Sequence, residues 1–217
     1  MHILSNDIIF PEVESADENG LLAIGGDLSV ERLLCAYRNG IFPWYNEDDP
    51  ILWWSPDPRC ILFPDKLLVT KSMRQVLQNG KFRFTRNKSF GQVISACKTT
   101  ERKDETGTWI NQDIVDAYSK LFELGFAVSA ETWREGKLVG GLYGIKIGDV
   151  FFGESMFSTE SNASKFAFIN LVQQLQREGL KIIDCQMRTE HLISMGAEMI
   201  SRSIFKEKLK MYLGSST

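Results

Sequence analysis

Histidine is scarce in this chain. Only His2 and His191 occur among 217 residues, and the four cysteines, Cys35, Cys60, Cys97 and Cys185, lie far apart with no Cys-x-x-Cys pair. That excludes the usual zinc centres, which need clustered imidazoles and thiolates. Reduced, mostly buried thiols are expected instead. Apolar runs are all far shorter than the ~20 residues that cross a bilayer, so no membrane span is expected. The stretch Met1 to Asp7 has no basic lead into an apolar core, so it does not read as a secretory signal and a cytoplasmic location is expected. Proline is rare outside one stretch, with five of six between residues 43 and 64. Repeats and low-complexity tracts are absent. With 43% hydrophobic and 24% charged residues, the composition is that of a globular chain and excludes wholesale disorder.

Acid is missing from one whole segment. Residues 66–100 hold eight bases (Lys66, Lys71, Arg74, Lys81, Arg83, Arg86, Lys88 and Lys98) and no Asp or Glu, inside a chain of net charge −3. Residues 1–65 carry twelve acids against three bases, and residues 101–217 sixteen against fourteen. Such a block is the footprint of a phosphate backbone, or a solvated face whose counter-charges lie elsewhere in the fold. Both readings stay open at this stage.

The prolines at 43, 50, 56, 58 and 64 forbid long regular structure, so a boundary is placed at 60/61. Residues 1–60 form a small N-terminal domain of turns around one helix, over 30–39, capped near Ser29 and stopped at Gly40. Residues 61–217 form the larger domain. Its pattern reads as helices over 70–79, 89–98 and 111–124, with a short strand over 82–86. A three-stranded meander follows over 126–134, 137–147 and 150–154, turned at Glu135-Gly136 and Gly148-Asp149. Then come a helix over 161–177, a strand over 180–186, and helices near 189–195 and 203–213. This is an α+β fold with a mixed, largely antiparallel sheet. Its order of meander, helix, strand and helix resembles the GNAT acyltransferases.

Two polar places stand out. Glu154 follows Val150, Phe151 and Phe152 and precedes Met156 and Phe157, so a carboxylate is set against apolar surface. It either receives a substrate amine or pairs with a base or a helix start. Asp184 and Gln186 are two apart on an apolar strand, so alternation puts them on one face. They form a structural polar pair, or Asp184 orients Gln186 and the amide handles a reacting amine. Ser155 is no nucleophile elbow, because Phe157 stands where that motif needs glycine. His191, near a helix start, reads as a packing or capping residue. Loop tryptophans Trp44, Trp53, Trp54 and Trp109 either cover a pocket or pack between domains.

Several runs together resemble the leucyl/phenylalanyl-tRNA–protein transferase family. They are residues 19–28, Gly40-Ile41-Phe42-Pro43-Trp44, residues 51–59, Gly107-Thr108-Trp109-Ile110, Leu138 to Gly144, Gly153 to Ser158 with Asn162 to Lys165, and Ile183-Asp184-Cys185-Gln186. The resemblance implies an enzyme that moves Leu or Phe, and Met less well, from aminoacyl-tRNA to proteins beginning with Arg or Lys. That addition marks those proteins for degradation. It also implies a GNAT-like catalytic domain, a monomer, and no metal or coenzyme. Carried over by motif, Glu154, Asp184 and Gln186 are the catalytic or positioning groups. Trp44 and Trp109 lie near the 3′ adenosine, and Leu142, Phe151, Met156, Leu171 and Ile183 line the aminoacyl pocket. Lys71, Arg74 and Lys81 contact tRNA. Leu142 stands where some members have Met, and the basic helix is sparser than in some, with Gln75, Gln78 and Asn79. In the mechanism that follows, Asp184 holds Gln186, Gln186 accepts a hydrogen bond from the attacking amine, and Glu154 anchors the amino acid's ammonium or the adenosine.

Two rival readings have sequence discriminators. A coenzyme-A-dependent N-acetyltransferase would need a glycine-rich pyrophosphate loop before the 161–177 helix, and residues 159–165 contain no glycine. A non-catalytic tRNA-binding module would explain the basic segment but not the polar residues at 184 and 186.

Overall fold

Where proline is dense the chain makes only short strands. In the computed structural model, which describes residues 2–100 and 110–214, a first sheet is built from β1 (His2–Leu4), β2 (Leu21–Gly25), β3 (Phe42–Pro43) and β4 (Leu52–Trp54), ordered β1-β2-β4-β3. One helix, α1 (Val30–Arg38), lies between β2 and β3 in the chain. Ser29 caps it by accepting the Arg32 amide, and Gly40, at φ 73°, lets the chain turn out of it. Arg32 is wholly buried. Its guanidinium donates to the carbonyls of Ser5, Asn6 and Asp7 and to Asp27, which ties the first residues to the helix.

The second sheet opens with β5 (Arg59–Leu62). After it come α2 (Lys71–Gln78), β6 (Arg83–Arg86), α3 (Phe90–Thr99) and α4 (Gln112–Glu123). The meander is β7 (Ala127–Arg134), β8 (Lys137–Ile147) and β9 (Val150–Ser158). Then follow α5 (Ala163–Arg177), β10 (Ile182–Gln186), α6 (Glu190–Ser194), β11 (Glu198–Ile200) and α7 (Arg202–Tyr212). The strand order is β11-β5-β10-β9-β8-β7-β6, and only β9 and β10 pair in parallel. The α+β class and the mixed, largely antiparallel sheet are as expected. Thr70 and Asn111 cap α2 and α4 with their side chains.

Several features differ from the sequence expectation. The first sheet stands where only turns around one helix are expected, and β5 and β11 are unforeseen. β5 is buried at all four residues, so it shows no alternation, and β11 has only three residues. β9 runs to Ser158 rather than stopping at 154. The cause is a β-bulge: Tyr143 pairs with Ser155 and Gly144 with Gly153, leaving Glu154 as an extra residue. The bulge reverses the alternation. Phe151 packs in one hydrophobic cluster and Phe152 in the other, but beyond the bulge the even residue Met156 joins the cluster of Phe151, and Phe157 that of Phe152.

Those two clusters lie on opposite faces of the large sheet. One joins Leu33, Tyr37 and Trp53 of the N-terminal region to Phe90, Tyr118 and Phe152, so the two sheets share a core. The other packs α5, through Phe166, Ile169, Leu171 and Val172, on Leu142, Phe151 and Ile183. The acid-free segment supplies α2, β6 and α3. Three of its bases meet acids from later in the chain: Lys66 with Glu198 at 3.0 Å, Lys81 with Glu160 at 3.1 Å and Arg86 with Glu178 at 2.6 Å. Lys71 and Arg74 are exposed and have no ion-pair partner among the described residues.

Gly144 stands opposite the bulge, where an added Cβ would sit 2.2 Å from the Phe152 carbonyl oxygen and 2.6 Å from the Phe151 ring. Backbone cannot yield as a flexible side chain does. Gly144→Ala is expected to lower unfolding free energy by at least about 2 kcal/mol, read as an earlier denaturant midpoint at unchanged slope.

Candidate active site

β10 begins regularly, with Ile182 and Ile183 packed into opposite cores. Its pairing with β9 ends at Asp184, opposite Phe152, and its pairing with β5 skips Cys185. Each of the two neighbouring strands therefore carries an extra residue just past their last shared rung. Asp184 is fully buried there. Its carboxylate takes two bonds from Arg59, Nε to Oδ1 at 2.8 Å and Nη2 to Oδ2 at 2.7 Å. The planar guanidinium also lies 4.8 Å from the Phe42 ring centroid and 4.9 Å from that of Phe205. A third bond to Asp184, from the backbone N–H of Gln186 at 2.9 Å, holds Gln186 at φ 60°. Asp184 holds Gln186 through its backbone, across the irregular pairing at Cys185, and both residues border the same cavity.

The amide meets Glu154 instead. Gln186 Nε2 donates to Glu154 Oε1 at 3.0 Å, Tyr37 donates to the same oxygen at 2.8 Å, and Tyr118 donates to Oε2 at 3.0 Å. The two phenols are also hydrogen-bonded to each other. With both phenols donating to Glu154 no proton is left for the contact between the two phenol oxygens; a proton on the carboxyl would fill it by reversing one of these bonds. The electrostatics agree. Burial pushes the Glu154 carboxyl up to about 7, and the charge of Asp184 adds to this; hydrogen bonds from Tyr37, Tyr118 and Gln186 oppose it. Burial first, then the Glu154 charge, drives both phenols well above the usual tyrosine range. Gln186 Oε1 accepts no hydrogen bond from the described residues, which leaves the amide's acceptor end for a ligand.

These groups border a cavity of about 560 Å³ that opens where β9 and β10 part. Its apolar wall is Leu142, Met156, Phe168, Ile183, Met187 and Leu192, and its polar wall holds Glu154, Asp184 and Gln186. Trp44 lies on the lining, about a third exposed, edge-on to Trp54 at 5.6 Å and accepting the Trp54 indole N–H on its carbonyl. His191 is also on the wall; burial, then Lys165, lowers its pKa, and its Nε2 is buried without a partner among the described residues. The cap of that helix is Thr189 and not His191: its hydroxyl accepts the Leu192 amide. Among the described residues no group of three or more His, Cys, Asp or Glu could hold a metal ion, and no helix is long and apolar enough to cross a membrane.

The structure thus gathers Glu154, Asp184, Gln186, Leu142, Met156, Ile183 and Trp44 around one recess. It places Phe151 and Leu171 elsewhere. Both are fully buried in the packing of α5 on the sheet and neither lines the cavity; Phe168 does. Trp109 lies outside the described residues. Lys71, Arg74 and Lys81 are exposed on and after α2, and Lys81 is already paired with Glu160. Sequence reasoning missed Tyr37, Tyr118 and Arg59. Tyr118 shares the apolar face of α4 with Ile114 and Leu121, so it reads as core. Arg59 carried a weak signal, as one of three bases among twelve acids in residues 1–65 and followed by Cys60-Ile61-Leu62.

The Glu154 environment has a consequence for stability. A carboxyl raised from 4.5 to about 7 binds a proton in the folded state that the unfolded chain has released, over that whole interval. Its contribution is therefore lost as pH rises from about 4.5 through about 7. Glu154→Gln should abolish this decline. Melting temperatures of the two proteins are expected to be close near pH 5 and to separate in favour of the variant by pH 8.

Comparison with known proteins places these features in context. Residues 61–210 match the family model described as leucyl/phenylalanyl-tRNA protein transferase, and residues 26–57 match the model of that family's N-terminal domain. A leucyl/phenylalanyl-tRNA–protein transferase of Nitrosospira multiformis is 54% identical over 209 residues, covering 95% of this chain and 90% of its own length. One from Flavobacterium johnsoniae is 52% identical, covering 97% of this chain and 99% of its own length. Among solved structures, a GCN5-related N-acetyltransferase-like protein from Streptococcus suis aligns over 75% of this chain and 60% of its own, at 12% identity and a TM-score of 0.40. By the two family models and by identities above one half along nearly its whole length, the chain belongs to the leucyl/phenylalanyl-tRNA–protein transferase family.

Proposed function

We propose that this protein transfers a leucyl or phenylalanyl group, and methionyl less well, from aminoacyl-tRNA to the α-amino group of proteins that begin with Arg or Lys, marking them for degradation. It does so as a cytoplasmic monomer without metal or coenzyme. Residues 1–60 act as a small N-terminal domain and residues 61–217 as the catalytic domain. The observation that carries the reading is the apolar recess beside a hydrogen-bonded carboxylate and amide, Glu154 and Gln186.

Aminolysis of an aminoacyl ester is downhill, so the protein must mainly bring amine and carbonyl together, a contribution on the order of 7–11 kcal/mol. The aminoacyl side chain enters between Leu142, Met156, Phe168 and Ile183. Such a slot rejects small side chains by roughly 1–3 kcal/mol per missing methylene and disfavours polar ones by desolvation. The attacking amine donates to Gln186 Oε1. Its proton must leave, and Glu154, at about 7, lies close to an ordinary α-ammonium at ~7.7–8. The nitrogen bonds to the ester carbon, and the bond to the ribose oxygen breaks. The proton passes from the amine through Glu154 to that oxygen. Trp44 and Trp109 serve the terminal adenosine. Lys71 and Arg74 hold phosphates of the tRNA body, with Lys81 shared between tRNA and Glu160.

Transfer of labelled Leu from Leu-tRNA to a peptide beginning with Arg tests the activity, and a peptide beginning with Ser is the control. Equal labelling of both would defeat the acceptor assignment. Gln186→Ala should lower kcat by about 100-fold with the Michaelis constant for tRNA nearly unchanged. Lys71→Glu with Arg74→Glu should instead raise that constant. It should also flatten its logarithmic salt dependence by about 1.5, the loss of two phosphate contacts.

A further inference from the structure

We propose that Arg59 is a positioning residue for transfer, acting on Gln186 through Asp184, with α7 and β3 as its clamp. This rests on the reading that Gln186 serves the attacking amine. Gln186 stands at φ 60°, a region that residues other than Gly, Asn and Asp seldom occupy and that persists only where the surroundings over-determine it. Its backbone N–H is held by Asp184 Oδ1 at 2.9 Å. That oxygen is placed in turn by Arg59 Nε at 2.8 Å. The chain of contacts is Arg59 to Asp184 carboxylate, to Gln186 backbone, to Gln186 amide, to Glu154.

Arg59 itself is set by two aromatic faces. Phe42 comes from β3 in the first sheet, and Phe205 from α7 near the end of the chain. Among the described residues Arg59 Nη1 is buried with no acceptor. The start of α7 is pinned to the loop before Arg59. Arg202 Nη1 donates to the Ser55 carbonyl at 2.6 Å, and its backbone N–H to Asp57 Oδ1 at 3.0 Å. None of Arg59, Phe205 and Arg202 lines the cavity. They act on the reaction only through the bulge. Lysine cannot replace Arg59, because a point charge neither makes the two parallel bonds nor stacks as a plane.

The test is a double-mutant cycle of Arg59→Lys and Gln186→Ala, followed by leucyl transfer and by hydrogen exchange of the Gln186 backbone amide in Arg59→Lys. Arg59→Lys alone should lower kcat by about 100-fold with the tRNA Michaelis constant little changed. In the Gln186→Ala background it should lower kcat no further, because the group it positions is gone. The Gln186 amide should exchange faster in Arg59→Lys than in wild type, while amides of β8 keep their protection. Equal losses in both backgrounds, or unchanged exchange at Gln186, would overturn the proposal. Exchange needs no substrate, so it decides the matter even if the wild-type protein transfers no leucine, a result that would count against the functional reading alone. If Arg59→Lys does not fold, Phe205→Leu removes one face of the clamp and should show the same pattern with a smaller loss.

Discussion

A buried arginine facing a buried aspartate is where this architecture is tied together. Taking both charges out of water costs several kcal/mol per ion, and an apolar pair of similar volume would serve stability as well or better. What the ion pair supplies is place. Arg59 opens the large sheet, Asp184 marks the last rung shared by β9 and β10, and the rings that flank the guanidinium come from the first sheet and the C-terminal helix. Four parts of the chain distant in sequence are registered against one another at the point where the strands begin to part.

Around that point the work is divided by polarity. The face carrying α5 supplies an apolar wall, which can select for bulk and greasiness but cannot move a proton. The face shared with the N-terminal region supplies the hydroxyls. Tyr37 on α1 and Tyr118 on α4 reach the same carboxylate from helices 81 residues apart in sequence. The first region therefore reaches the candidate site and is not merely an adjoining cover. Its helix furnishes one of the three donors that keep Glu154 in place, and its strand β3 furnishes Phe42.

Much of this was legible in the sequence, and the illegible remainder has physical reasons. Caps at Ser29 and Asn111 and the meander turns declare themselves locally, because short-range hydrogen bonds and positive φ restrict residue type. Alternation works only while the ladder is regular. It located β9 but ended it at the bulge, and it gave no sign of the irregular pairing between Asp184 and Gln186. Periodicity also marks burial without saying what a buried side chain faces. Motif matching put Phe151 and Leu171 on the aminoacyl pocket, yet both are core, and Phe168, which it did not name, borders the recess. Charge counting flagged residues 66–100 as basic, but three of those bases are answered by acids that sequence distance conceals.

Glu154 has no partner across the strand, since Tyr143 and Gly144 take Ser155 and Gly153. A chain shortened by that one residue would keep its inward and outward sides in phase from Val150 to the end of the strand and would zip to β8 without a gap. The most uniform version of this sheet is thus one with no acid at its mouth. A residue that reads as a defect of weaving is the one that sets a carboxyl at the edge of the cavity.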